Sequence, residues 1–274
     1  MGMTAKAQRR KERYVRGFVK GLISIAGASL AFSLAEAQDM MRHVDLSSPM
    51  FSTAEMTRAE AEAALKAGDG RADFSGKSLN GLDLSGLDLS GVNFRAARLN
   101  KANLSNAKLD GAVLDQVWAL GADFSGASLK KAHLFGSQMQ DSKCNGADFS
   151  GARVTADLTR ASLRNAKFAG ADLAPDMKNQ SMGLMRAVLK SADLAGADFD
   201  NANLASTDLQ FAKFPGANFK GASLAGAEAG GADFRGAVFE QTNLTGTDLT
   251  SARIDASRAG VFAQAKNLDR AFKE

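Results

Sequence analysis

The 274-residue chain has 34 basic and 30 acidic side chains, a formal net charge of +4 and a single cysteine, Cys144, which excludes an intrachain disulfide and leaves stability to packing. The positive balance is local: residues 1–37 hold seven basic and two acidic side chains, and the remainder is left at −1. The basic isoelectric point therefore gives no support to nucleic-acid binding by the body of the protein.

Residues 1–37 read as a secretory signal peptide. Lys6, Arg9, Arg10, Lys11, Arg13, Arg16 and Lys20 form a basic lead, residues 22–34 are apolar and small, and Ala35-Glu36-Ala37 offers a small-x-small cleavage site before Gln38. Arg9-Arg10 lacks the apolar follow-up of a twin-arginine signal, so general secretion in a bacterium, to the periplasm or the outside, is expected. The apolar segment is shorter than the about 20 residues of a membrane span. No stable membrane insertion is expected after cleavage, and an uncleaved anchor is the other reading.

Residues 38–70 read as a linker and one short capping helix. Ser52 with Glu55 gives a capping-box pattern, Phe51 and Met56 take the staple positions, and Gly68 closes the segment. The expected role is to cover a solenoid end and its unpaired strand edges.

From Phe74 to Ile254 a large apolar residue returns every five positions, usually two after an Ala and one after an Asp, Asn or Ser. Ala122-Asp123-Phe124-Ser125-Gly126 and Ala232-Asp233-Phe234-Arg235-Gly236 show the unit, and Leu79, Leu84, Leu89, Phe94, Leu99, Leu104 and Leu109 show it unbroken. On a helix, residues five apart lie about 140° apart and build no face. On a continuous strand an odd spacing sends successive hydrophobes to opposite sides. The remaining arrangement is a chain that turns between units and points each large residue at a common axis, which is a solenoid over residues 71–256.

The unit resembles that of the pentapeptide-repeat family, Ala-(Asp/Asn)-(Leu/Phe)-polar-small. The resemblance implies an all-β fold, a right-handed four-sided parallel β-helix with one unit per side. Counting central residues then gives about nine coils and a rod roughly 40 to 45 Å long at strand spacing. Residues twenty apart should stack, with Phe199, Phe219 and Phe239 in one ladder and Leu204, Leu224 and Leu244 in another.

Two breaks interrupt the array. Val154 to Leu158 is one residue short, and residues 174–183, with Pro175, form an expected loop before Leu184 resumes the register. Met177 and Met182 on that loop are candidate partner-binding residues, beside the reading of a tolerated insertion. Trp118, the sole tryptophan, faces outward in strict register and is a third candidate; a local shift turning Val117 or Leu120 inward is the alternative. Ala119, Met139, Cys144 and Ala229 occupy central positions, and Cys144 is expected to be an inert core residue. Residues 257–274, with Val261, Phe262, Leu268 and Phe272, read as a second cap or tail, or as the contact of a homodimer formed through a solenoid end.

No catalytic constellation stands out. Asp83, Asp88, Asp123, Asp148, Asp193, Asp208 and Asp248 recur as part of the unit, where they suit turn hydrogen bonds and a solvated surface. His43 and His133 have no partners at metal spacing, and no phosphate loop or nucleophile triad is present. No cofactor and no metal are expected. The function read from these features is a non-catalytic exported structural or protein-interaction scaffold, with an unknown protein partner and no nucleic acid, as a monomer or homodimer. The alternative, implied by the family resemblance, is a DNA-mimicking modulator of a type II topoisomerase, which requires a dominantly acidic face.

Overall fold

The computed structural model describes residues 48–68, 72–175 and 185–274. Residues 1–37, His43, Met177, Met182 and Leu184 lie outside them.

Among the described residues two helices precede the repeats, where the sequence suggested one. Helix α1 (Pro49–Ser52) opens on proline, whose missing N–H costs nothing at a first helical position. Helix α2 (Arg58–Ala67) starts at Thr57, not at Ser52. Thr57 Oγ1 accepts from Glu60 N at 3.3 Å and Glu60 Oε2 accepts from Thr57 N at 2.7 Å, a reciprocal capping box. Thr57-x-x-Glu60 carries the same signature as Ser52-x-x-Glu55, and Thr57 wins because the Ala-rich stretch begins directly after it. Glu55 instead pairs with Lys77 at 3.0 Å. Gly68 closes α2, its N–H donating to Ala64 O at 2.9 Å. Ala61 is buried in the core, and Arg58 donates to the carbonyls of Asp83 and Ser85.

The repeats form a solenoid. Parallel bridges join residues twenty apart in four columns that begin at Asp73, Ser78, Asp83 and Asp88. The unit around Phe199 accounts for all five of its N–H groups. Asp198 N donates to Ala166 O on the preceding turn, while Phe199 N and Asn201 N donate to Asn218 O and Lys220 O on the next. Ala202 N closes the bend on Phe199 O at 2.9 Å. The fifth, Asp200 N, donates to Asp198 Oδ1 at 3.1 Å. This is why Asp or Asn precedes the large residue: its side chain satisfies the one amide the ladder cannot reach. Where that residue type is missing, a polar side chain one turn back substitutes, as Asp115 Oδ1 does for Phe135 N and Asn100 Oδ1 for Leu120 N.

The core is the column interiors. Ala at the first place of the unit and Leu or Phe at the third are buried along the array. Phe199, Phe219 and Phe239 stack as expected, at 5.0 and 5.2 Å between centroids. The ladder is longer than the sequence suggested: Phe149, Phe168 and Phe199 continue it at 4.9 Å per step. Leu204, Leu224 and Leu244 are buried, as are Ala119, Met139, Cys144 and Ala229. After the last repeat a 3-10 turn (Ala256–Phe262) carries Phe262 over Phe239, 4.9 Å away and edge-on. A two-residue strand β2 (Phe272–Lys273) then pairs in parallel with β1 (Arg253–Ile254). Val261 and Phe272 stay exposed.

Both breaks fall at the same corner. Gln138 bridges Asp157, nineteen positions on, which places the missing residue between Val154 and Leu158. On the following turn Asp157 bridges Val188, and Ala187 N donates to Leu173 O at 3.2 Å. Among the described residues the first bridge after the insertion is that of Val188; Leu184, where the register was expected to resume, lies outside them. No helix among the described residues is long and apolar enough to cross a membrane.

Candidate functional surface

Departures from the repeat gather on the bridge column that begins at Ser78. Its members are Ser78, Arg98, Trp118, Gln138, Asp157, Val188, Asp208, Glu228, Asp248 and Lys266. At one end, the segment around α1 lies on this column. Asn80 Nδ2 donates to Met50 O at 3.1 Å, Glu55 N donates to Ser78 O at 2.8 Å, and the Phe51 ring sits 5.1 Å from Trp118.

Trp118 thus keeps strict register: it bridges Arg98 and Gln138, with Ala119 beside it buried, and no shift occurs. Val117 is inside because it takes the place of the unit's Ala, and Leu120 is half-buried. The tryptophan is half-buried under an aromatic from its own chain.

The corner with the missing and inserted residues adjoins the middle of the column. Arg186, where the chain re-enters the array, donates to Ser206 O at 3.0 Å and to Glu228 Oε1 at 2.7 Å. Asp208, Glu228 and Asp248 stand on consecutive turns. Asp208 is buried, contrary to the expectation of a solvated position, because Arg186 and Gln210 close over that part of the column. Burial holds its carboxyl above the usual carboxylate range, with the Gln210 amide and Arg186 pulling the other way. Glu228 moves in the opposite direction through its bond to Arg186, and Asp248 is lowered chiefly by the Asn267 amide at 2.8 Å.

Beside this cluster Phe211 occupies the fifth place of its unit, where glycine is usual, at a φ of 59° and with 57% of its surface exposed. A bulky side chain in the left-handed region is an outlier. The ring lies over Gly231, where a Cβ would come within 2.5 Å of it. Sequence reasoning passed over Phe211; the signal was a Phe in a glycine slot.

Two of the other columns alternate in charge along part of their length. Asp193, Lys213, Asp233 and Arg253 follow one another in one column, and Asp148, Lys167 and Asp198 in another. Cross-turn ion pairs such as Arg164–Asp193 at 2.7 Å and Arg153–Asp172 at 2.6 Å join neighbouring turns. His133 lies in a column with Arg153 and Val113, and among the described residues no group of three His, Cys, Asp or Glu is placed to hold a metal. Cys144 is fully buried and its thiol is pushed up to about 12 by that burial.

Pentapeptide repeats, in eight copies, match residues 78–116, 121–155, 156–174, 184–221 and 217–255. No curated protein matches the chain. Among solved structures it is similar to the trypsin-treated plasmid-mediated fluoroquinolone resistance protein QnrB1, at 19% identity and a TM-score of 0.52, over 68% of this chain and 94% of that one. It is also similar to HetL of the cyanobacterium Nostoc, a pentapeptide repeat protein involved in heterocyst differentiation regulation. That match has 23% identity, covers 72% and 97% of the two chains, and has a TM-score of 0.29. The five-residue unit, its bridges at twenty-residue spacing and the matched repeats identify the chain as a member of the pentapeptide repeat family.

Proposed function

We propose that this chain is a non-catalytic protein-interaction scaffold, and that the Ser78 column is the side it presents to its partner. The solenoid is read as a right-handed, four-sided parallel β-helix of about nine coils, supported by four bridge columns at twenty-residue spacing. Helix α2 and residues 257–274 are its two caps, supported by burial of Ala61 and by the Phe262 ring over the end of the Phe ladder. The basic, apolar and small-residue sequence of residues 1–37 supports export to the periplasm or beyond.

One observation carries the reading: the docked N-terminal segment, the missing residue, the insertion and the exposed Phe211 all fall on or beside one column. Regular arrays break their own rule where something else is required of them. Lys and Arg interrupt the Asp83 and Asp88 columns, and Arg186 pairs with Glu228 within the acidic run Asp208, Glu228 and Asp248, which favours a mixed-charge scaffold over the DNA-mimicking alternative and its uninterrupted acidic face.

Site-specific photo-crosslinking in cells tests this. A crosslinking amino acid at Gln138 or Phe211 should capture one defined protein, and the same group at Lys167 or Asn218 should not. Equal capture on both sides overturns the assignment. Recovery of the chain in the cytoplasm together with inhibition of DNA supercoiling would favour the mimic.

A further inference from the structure

We propose that Asn80, Asn100 and Trp118 form a recognition row for a short protein segment bearing an aromatic residue on a helical turn and, four positions later, a carboxylate. Residues 49–56 fill this row as a tethered stand-in. The inference rests on the scaffold reading above and adds the chemistry of the partner.

The two asparagines divide their amides between two tasks. Asn80 Oδ1 accepts from Asn100 N, and Asn100 Oδ1 accepts from Leu120 N, each at 3.0 Å, so the oxygens serve the ladder. Asn80 Nδ2 points at the docked segment, donating to Met50 O at 3.1 Å and Thr53 O at 3.4 Å, while Asn100 Nδ2 donates to Asn80 Oδ1 at 3.1 Å and reaches Phe51 O at 3.5 Å. Ser78 Oγ donates to Thr53 O. These contacts read carbonyl oxygens, which every peptide carries, so they fix the path of the segment and not its sequence.

Selectivity falls to two side chains of the segment. Phe51 meets Trp118, while Met50 beside it is 62% exposed and anchors nothing. Glu55 lies against Lys77 at 3.0 Å, and that bond, the Ser78 contact and the Arg98 charge keep its carboxyl below the usual range. Arg98 Nε is buried and has no acceptor among the described residues, so the row retains a cationic donor for an acidic ligand. Among the described residues the segment contributes no bridge to any column; one backbone bond, Glu55 N to Ser78 O, ties it to the array, and the remaining ties are side-chain contacts. A segment held this way opens at lower cost than a strand of the ladder.

The experiment uses the full chain and a fluorescein-labelled synthetic peptide of residues 49–57. The variant Phe51→Ala should shift the emission of the sole tryptophan to the red and make it accessible to acrylamide. The peptide should then bind this variant by anisotropy. Binding to the unaltered chain should be about a hundredfold weaker, since the tethered copy competes at roughly millimolar effective concentration. Asn80→Asp in the Phe51→Ala background keeps the acceptor for Asn100 N and removes the donor to Met50 O, and should abolish binding; a peptide without the Phe and Glu should not bind. Circular dichroism melts check folding, and Phe51→Leu replaces Phe51→Ala if the latter melts early. Unchanged tryptophan emission, equal peptide binding by both chains, or uptake of the segment only as an exchanged dimer each overturns the proposal. Crosslinking of a partner at Gln138 without peptide binding removes this inference and leaves the scaffold standing; peptide binding without any crosslink does the reverse.

Discussion

Phe199 and Phe219, twenty positions apart in sequence, lie with their ring centroids 5.0 Å apart and their planes 2° from parallel. That spacing is close to the distance between neighbouring strands, so the ladder of amides dictates how the rings meet. Aromatic pairs free to choose prefer an offset or edge-on contact. Phe214 supplies one, 5.3 Å from Phe219 at 64°. Phe219 is therefore held on both faces and at its edge. Phe219→Ala should cost about 3 to 5 kcal/mol in urea unfolding, as a deletion from a packed core that cannot collapse. A loss below about 1 kcal/mol would mean that the rings are not stacked.

Phe211 is expected to be a net burden on stability. Its left-handed backbone costs about 1 to 2 kcal/mol for a residue with a Cβ, and the exposed ring recovers little of it. Phe211→Gly should raise the melting temperature by about 2 to 4 °C. It should also weaken capture of the partner at neighbouring positions. A lower melting temperature would show that the ring's contact over Gly231 outweighs the backbone term.

Asp208 and Asp233 should respond to pH in opposite ways. The Asp208 carboxyl is raised in the folded chain by burial, so its contribution favours folding below the ordinary carboxylate range and is lost as pH rises through the folded value. Asp208→Asn should therefore stabilise at pH 7, with the gain shrinking toward pH 3. The Asp233 carboxyl is lowered, first by its bonds to Arg235, so its contribution is present at neutral pH and lost on acidification. Asp233→Asn should destabilise at pH 7 and become neutral toward pH 3. Urea titrations at the two pH values check both signs.

The Cys144 thiol should be inert while the chain is folded. At pH 8 iodoacetamide should leave the native protein unmodified and label it fully in urea, because a group with no exposed surface and a pKa of about 12 supplies almost no thiolate. Labelling of the native chain within minutes would show that its coil opens readily.

Asp198 stands directly before Phe199, at the Asp place of its unit. It is half-buried, and its Oδ1 accepts from Asp200 N at 3.1 Å and from Asn218 Nδ2 at 2.8 Å. Asp198→Ala should cost about 1 to 3 kcal/mol for the two bonds, read as a drop in the urea midpoint.

The core was legible in the sequence because its signal is positional: Leu104, Phe124 and Phe199 fall in one register and all three are buried. Which column the chain rejoins after the insertion was not, since a five-residue period is the same on every side; the bridge from Asp157 to Val188 assigns it. The helix start was missed because two capping-box signatures lie five residues apart, at Ser52 and at Thr57. The cover over Trp118 had no signal either. Phe51 and Trp118 are brought together by chain reversal, and nothing in the five-residue period encodes which column an approaching segment will choose.

The shortened turn and the lengthened one share a seam. Met185, at the stem of the long excursion, reaches back so that its methyl would lie 3.1 Å from a Cβ on Gly136, two turns away, across the place where a residue is missing. The Phe149, Phe168 and Phe199 rings pass through the same turns without losing step. Chain length is thus free at this corner and fixed everywhere inside a unit. New sequence spliced between positions 174 and 186 should leave the interior blind to its size, which makes the seam a natural graft point for fresh binding specificity.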